Sequence, residues 1–122
     1  MKGASPEGMA ALERLRGIFA EFEDVDERVS HGEAAWFIRG GRQVAMLSDH
    51  HRDDGVAVWL ATPPGMQEAL IGADPARYFR PPYVGHRGWV GVVLDADGDW
   101  EAVAGLAAMA VEAARGSKRS RR

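Results

Sequence analysis

The stretch from Pro81 to Val92 constrains the fold of this chain more than any other. It reads PPYVGHRGWVGV, so a double proline precedes a glycine-rich segment and an apolar run. Proline fixes φ and removes a backbone donor, which excludes a helix here and keeps the chain extended. The apolar run 88–94 that follows is typical of a buried strand. We therefore expect this stretch to deliver a strand into the interior of a sheet.

Three more strands are predicted before this stretch. Residues 34–39 and 42–48 are separated by Gly40-Gly41, which indicates a hairpin with a two-residue turn. Residues 55–60 form the third predicted strand. The middles of these strands are apolar at successive positions, so we expect helices on one face of the sheet and partial shelter on the other.

The first helix is predicted to begin at Ser5-Pro6 and to end near Phe22. Serine is a good helix cap, and proline suits the first helical position. Apolar residues then recur at spacings of three and four, which is typical of an amphipathic helix. Gly8 and Gly17 are each expected to weaken this helix by about 1 kcal/mol relative to alanine.

Further helical segments are predicted after the third strand and at the end of the chain. A short helix is expected at 66–71, a single turn at 74–79, and a final helix capped by Asp97 or Asp99. The order is therefore helix, three strands, short helices, strand, helix. It predicts an α+β fold with a mainly antiparallel sheet and helices packed on one face.

Charge is distributed unevenly along the 122 residues. The net charge is −3, but residues 1–115 carry −7 and the last seven residues carry +4. Residues 1–115 are predicted to form a single domain. Residues 116–122, with Lys118, Arg119, Arg121 and Arg122, are predicted to form a disordered basic tail.

Several classes of function lack support in the sequence. There is no cysteine, so disulfides and thiolate chemistry are excluded. No apolar run is long enough for a membrane span or a signal peptide, which predicts a cytoplasmic protein. No nucleophile elbow, phosphate-binding loop or zinc spacing is present, so we expect no enzymatic activity, no cofactor and no metal site.

Three segments carry a family resemblance: Ser30-His31-Gly32, Gly40-Gly41-Arg42 and the stretch from Pro82 to Val90. Together they resemble the MmcQ/YjbR family, over about residues 12–113. The resemblance implies a frataxin/CyaY-like fold. It also implies DNA binding through a "double wing" arrangement.

Five residues are the candidates for nucleic-acid or anion binding: Arg39, Arg42, Arg80, His86 and Arg87. Arg39 and Arg42 straddle the hairpin tip, and the glycines around His86-Arg87 allow a phosphate to approach the backbone. If the tip and this loop share one side, these cations converge, with Arg77 as a further candidate. Four phosphate contacts would give a salt slope of about −3.6, and no helix suited to base readout is visible. The sequence thus predicts weak, largely sequence-independent binding.

Other interpretations remain open at this stage. Arg87 and His86 could instead pair with Glu33 or Asp74 and fix the loop. The cationic loop could serve a small anion or a protein partner in place of DNA.

A third hypothesis is weak cation binding by the acidic segment Glu21–Glu27, although a solvated helix end is the commoner explanation for such a segment. His31 and His86 could approach each other, although fixing of loops is the commoner role for such histidines. Four aromatic residues could stack on bases, although packing is more usual for such side chains. They are Trp36, Trp59, Tyr83 and Trp89.

Overall fold

One six-stranded antiparallel sheet organises the computed structural model, which describes residues 5–50, 55–95 and 98–120. The strands are β1 (Val25–Ser30), β2 (Glu33–Ile38), β3 (Gln43–Asp49), β4 (Val56–Leu60), β5 (Tyr78–Phe79) and β6 (Val90–Val93). Their order across the sheet is β1-β2-β3-β4-β6-β5. Strand β6 therefore lies inside the sheet, which confirms the interior strand predicted from Pro81–Val92.

The helices are α1 (Pro6–Phe19), α2 (Met66–Ala73) and α3 (Trp100–Ser120), with a 3₁₀ turn at Gly85–Arg87. The main core lies between α1, α3 and one face of the sheet. It includes Leu15 and Phe19 of α1, Val103 and Val111 of α3, and alternate residues of the central strands. The predicted α+β class, with a mainly antiparallel sheet and helices on one face, is confirmed.

Two strands were not expected from the sequence, so the predicted set of four strands is corrected to six. Residues 25–30 form edge strand β1, paired with β2 from Val25↔Ile38 to Ser30↔Glu33. The sequence interpretation had placed a solvated helix end there, and had placed Tyr78–Phe79 in a turn. Both elements gain their backbone hydrogen bonds from a neighbouring strand and have little apolar pattern of their own.

Helix α1 begins as predicted and ends earlier than predicted. The Gly8 amide donates to the Ser5 hydroxyl at 2.9 Å, so Ser5 is the cap. The helix stops at Phe19 because the chain turns to enter β1, with the Val25 amide donating to the Phe22 carbonyl at 3.1 Å.

A buried carboxylate on β3 anchors the start of this helix. Asp49 accepts hydrogen bonds from the Ser5 amide at 2.9 Å and from the Ser5 hydroxyl at 2.8 Å. His50 Nδ1 lies 2.6 Å from the same carboxylate. Burial raises the pKa of Asp49, but these hydrogen bonds outweigh it and hold that pKa below its usual value.

The C-terminal helix is capped by one of the two predicted residues. The Ala102 amide donates to Asp99 Oδ1 at 3.0 Å, and Asp97 lies outside the described residues. The α3 assignment continues to Ser120, into the segment 116–122, while Arg121 and Arg122 are also outside the described residues. Disorder of that segment stays a prediction.

Nowhere in the described ranges does a helix combine the length and apolar character needed to cross a membrane.

The face of the sheet opposite α1 and α3, here called the back face, is only partly covered. Trp59 of β4 and Trp89 are buried there, together with the partly buried Met46 of β3. Residues 80–89 cross this face, and Val84 packs against the tryptophans. The rest of the back face stays open beside this segment.

Candidate anion-binding site

A trough of about 560 Å³ lies on the back face, next to residues 80–89. Met46 and Trp59 are register partners on β3 and β4, so the sheet itself forms the floor. The lining residues are His31, Gln43, Met46, Trp59, Tyr83, Val84, Arg87 and Trp89. The trough is within the size range of small-molecule sites.

A second cavity of about 270 Å³, here called the cleft, adjoins the trough at one end of the sheet. The two cavities share Gln43, Arg87 and Trp89. Arg42 lines the cleft, as do Thr62 and Ala114 near the end of α3. The antiparallel order explains this convergence, because the β2–β3 hairpin tip, the end of β4 and the start of β6 all reach the same end of the sheet.

The linings of the trough and cleft contain Arg42, Arg87 and His31 but no aspartate or glutamate of the described chain. This is notable in a chain whose net charge is −3. A cavity of similar volume between α1 and α3 has both charges, Arg14 and Glu21, in its lining. Local charge of one sign in a concave surface attracts ligands of the opposite sign, so the trough and cleft suit an anion.

Arg87 is carried on a segment that is firmly held. The buried Gln67 side chain donates from Nε2 to the Gly85 carbonyl at 2.7 Å and to the Trp89 carbonyl at 2.6 Å. Thr62 Oγ1 donates to the Gly88 carbonyl at 3.0 Å. The Arg87 guanidinium lies 5.8 Å from the centroid of the Trp89 ring, a cation–π distance.

The sequence left open that Arg87 pairs with Glu33 or Asp74, but in the structure both acids lie against other groups. Glu33 Oε2 accepts from the Asp49 amide at 3.2 Å. Asp74 lines a separate small cavity with Arg77 and Asp95, at the far end of β6. Within residues 5–50, 55–95 and 98–120, the ion pairs do not include Arg87.

The remaining predicted residues do not join the two cavities. Arg39 binds Asp26 through Nε and Nη2 at 3.2 and 3.0 Å, and Nη2 also donates to the Glu23 carbonyl at 2.7 Å. Arg80 Nη1 donates to Gln67 Oε1 at 3.2 Å, which supports the 80–89 segment. His86 is exposed and lines neither cavity, so it does not meet His31 in the trough.

The acidic segment Glu21–Glu27 is largely paired with arginines. Arg115 forms a bidentate pair with Asp24 at 2.7 and 2.8 Å, and this hydrogen bonding lowers the pKa of Asp24. Arg39 binds Asp26, and Arg16 binds Glu27 at 2.8 and 2.9 Å. A search of the described part of the chain finds no group of three or more metal-ligating side chains. The geometry therefore gives no support to the cation hypothesis.

Sequence reasoning did not single out Gln67, Thr62 or Gln43. Gln67 lies in a short, mostly apolar helix and is buried. A buried glutamine side chain is expected to be hydrogen-bonded, but the sequence does not show which groups it binds. Thr62 and Gln43 lie next to strand ends and have no motif. Gln67 and Thr62 position the site through hydrogen bonds to residues distant in sequence, whereas Gln43 lines both cavities and donates to the nearby Ala45 carbonyl at 3.2 Å.

These features define a class: a small α+β domain whose antiparallel sheet has helices on one face and a ligand-sized trough on the other. A family model described as YjbR matches residues 20–110. The chain therefore belongs to the YjbR family, and the resemblance noted from its motifs is confirmed.

A solved structure shares this fold. The crystal structure of the Deinococcus radiodurans protein DR2400, with a domain described as DUF419, superposes with a TM-score of 0.68 at 20% identity. The match covers 82% of this chain and 75% of that one. A search of curated proteins finds no significant match.

Proposed function

We propose that this protein is a non-enzymatic nucleic-acid-binding protein of the cytoplasm that contacts phosphates at the cleft. The observation that carries the proposal is the convergence of Arg42 and Arg87 on cavities whose described lining has no carboxylate. Two loops supply these arginines from the same end of the sheet, the β2–β3 hairpin and the 3₁₀ turn. We take these two loops as the two wings that the family resemblance implies.

The number of arginines that line the cleft sets the strength of binding. Arg42 and Arg87 line it and are the main phosphate contacts, whereas Arg39 binds Asp26 and Arg80 binds Gln67 outside the two cavities. Two phosphate contacts give a salt slope of about −1.8 on logarithmic axes, smaller than the −3.6 or so expected for four. Binding is therefore weak and falls steadily as salt rises.

Sequence readout is not part of the proposal. The apolar faces of α1 and α3 pack into the main core on the opposite side of the sheet from the trough. In the described lining of the cleft, α3 contributes Ala113 and Ala114, whose methyl groups cannot hydrogen-bond to base edges. Contacts to phosphates position a protein on DNA without reading bases, so affinity is largely independent of sequence.

The test measures binding of a labelled DNA duplex by fluorescence anisotropy across a salt series. Arg42→Ala and Arg87→Ala are each expected to weaken binding and to reduce the slope by about 0.9. Arg77→Ala is the matched control, because it removes the same charge at the far end of β6 beside Asp74 and Asp95. It should leave the slope nearly unchanged.

The basic residues of 116–122 require their own control. Replacement of Lys118, Arg119, Arg121 and Arg122 by glutamine removes their charge without shortening the chain. If this variant loses all DNA binding while Arg42→Ala and Arg87→Ala retain it, the cleft is not the phosphate site and the proposal is wrong.

A small anion is a second candidate, favoured by the size of the cleft and by Thr62 beside the two arginines. Pyrophosphate is a suitable probe. Under this alternative it raises the melting temperature of the wild type but not of Arg87→Ala, and duplex DNA has no effect.

A further inference from the structure

Three aromatic side chains line the trough, and their exposure differs. Trp59 and Trp89 are buried in the smaller core of the back face, whereas the Tyr83 side chain is 78% exposed. Trp36, by contrast, is stacked on Phe19 in the main core, with ring centroids 4.8 Å apart. Trp36 therefore has the packing role that is usual for such residues, while the other three rings border an open cavity.

Tyr83 has a backbone conformation that is unusual for a tyrosine. It follows Pro81-Pro82 and has φ of 68°, in the left-handed region that side chains rarely adopt. Strained backbone of this kind costs free energy and is often found where a side chain must be held at a binding site. Here it holds a large ring in solvent at the edge of the trough.

The charge and size of the trough narrow the kind of ligand. Its volume of about 560 Å³ accommodates a planar ring system, and Met46, Trp59 and Trp89 provide an apolar floor and wall. Arg87 lies at the boundary with the cleft, where Arg42 is also found. An aromatic cavity leading to two arginines is complementary to a base joined to a phosphate.

We propose that the trough receives an unpaired base of a nucleic-acid strand, with the adjoining phosphate at Arg87. This inference rests on the proposed function, because it uses the same arginines. In a duplex the faces of the bases are stacked on one another, so they are not available to Tyr83. The protein should therefore prefer a single strand to a duplex of equal length.

The first arm of the test separates base contacts from phosphate contacts. Anisotropy is measured with labelled oligothymidylate and with an abasic strand of the same length and charge. The thymine strand is expected to bind at least about fivefold more tightly, which corresponds to one base–aromatic stack. Quenching of tryptophan fluorescence by the thymine strand, absent with the abasic strand, gives an independent readout.

The second arm assigns the stack to Tyr83. Tyr83→Asn removes the ring and keeps a residue that tolerates positive φ, so the backbone is not disturbed. It should abolish the preference for thymine over abasic strands and leave duplex affinity unchanged. Tyr83→Phe is the matched control and should keep the preference. If Tyr83→Asn does not fold, Met46→Trp is used in its place. The larger side chain on β3 fills the trough, so this variant is also expected to lose the preference for thymine over abasic strands.

The outcomes distinguish this inference from the function on which it rests. Equal affinity of the wild type for thymine and abasic strands overturns base binding in the trough, and salt-dependent duplex binding then still supports the cleft. Retention of the thymine preference in a folded Tyr83→Asn protein also overturns the inference. Absence of salt-dependent binding to every strand overturns both proposals.

Discussion

Two glycines of α1 should respond in opposite ways to the same substitution, although both weaken the helix in principle. Gly17 is exposed, and a Cβ atom added there meets nothing within 4 Å. A Cβ added at Gly8 would collide with Asp49 Oδ2 and would lie 2.5 Å from Asp49 Cγ. A methyl group therefore clashes with the Asp49 carboxylate at Gly8 but not at Gly17.

The expected magnitudes follow from these surroundings. Gly17→Ala should raise the free energy of unfolding by about 1 kcal/mol, the usual helix-propensity difference. Gly8→Ala forces the Asp49 side chain away from the Ser5 amide and hydroxyl, which now lie at 2.9 and 2.8 Å. Hydrogen bonds to a charged group contribute about 1.5–3 kcal/mol each. After the propensity gain of about 1 kcal/mol is subtracted from the loss of both bonds, Gly8→Ala should lower the free energy of unfolding by about 2–5 kcal/mol.

Urea unfolding at neutral pH, followed by circular dichroism, measures both changes. The two variants carry the same substitution in the same helix, so each is the control for the other. A Gly8→Ala protein as stable as the wild type would refute the view that Asp49 needs this glycine. Equal destabilisation by both variants would refute it as well, because the effect would then belong to the helix as a whole.

Two further predictions concern stability and the 80–89 segment. Gln67→Ala removes the donor to the Gly85 and Trp89 carbonyls, and should cost about 1–3 kcal/mol in urea unfolding while also weakening DNA binding through Arg87. The lowered pKa of Asp49 contributes stability above its unfolded value of about 3.9, and this is lost as pH falls through the lower folded value. The free energy of unfolding should therefore fall below about pH 4, and Asp49→Asn should flatten that fall; an unchanged acid profile in Asp49→Asn would contradict the assignment.

Local signals were sufficient for much of the fold. Gly40-Gly41 predicted the β2–β3 hairpin, and the Gly41 amide donates to the Ile38 carbonyl at 2.7 Å, but the connection spans residues 39–42 rather than the two residues expected. Ser5-Pro6 predicted the start of α1. Such signals are read from neighbouring residues, because turn and cap geometry depend on the backbone of the same few positions.

Strand β1 illustrates why the rest could not be predicted. It is an edge strand in which no position is buried, so it lacks the alternation that burial of one face produces. The acidic residues in this strand and just before it are paired with arginines elsewhere in the chain, and Arg115 is 91 residues away from its partner Asp24. Read alone, the segment was indistinguishable from a solvated helix end.

In the candidate site, too, the sequence indicated single residues but not the long-range contacts between them. In the sequence, Arg39 and Arg42 are equivalent cations at a hairpin tip, and only the pairing of β1 with β2 brings Asp26 against Arg39. The convergence of Arg42 with Arg87 required the strand order, which places the hairpin and the 3₁₀ turn at one end of the sheet. Gln67 acts through two carbonyls that no local pattern indicates.

The net negative charge of residues 1–115 does not exclude anion binding, because no carboxylate of the described chain lines the trough or the cleft. The −7 of residues 1–115 argued against nucleic acid when taken as a sum. Yet Asp24, Asp26 and Glu27 are paired with arginines, and the described linings of the trough and cleft contain no carboxylate. At physiological salt, charges more than about 8 Å apart are largely screened, so the contacts at Arg42 and Arg87 dominate in the proposed complex. At low salt the acidic body repels the strand over longer distances, so lowering the salt should increase affinity by less than two phosphate contacts alone would give.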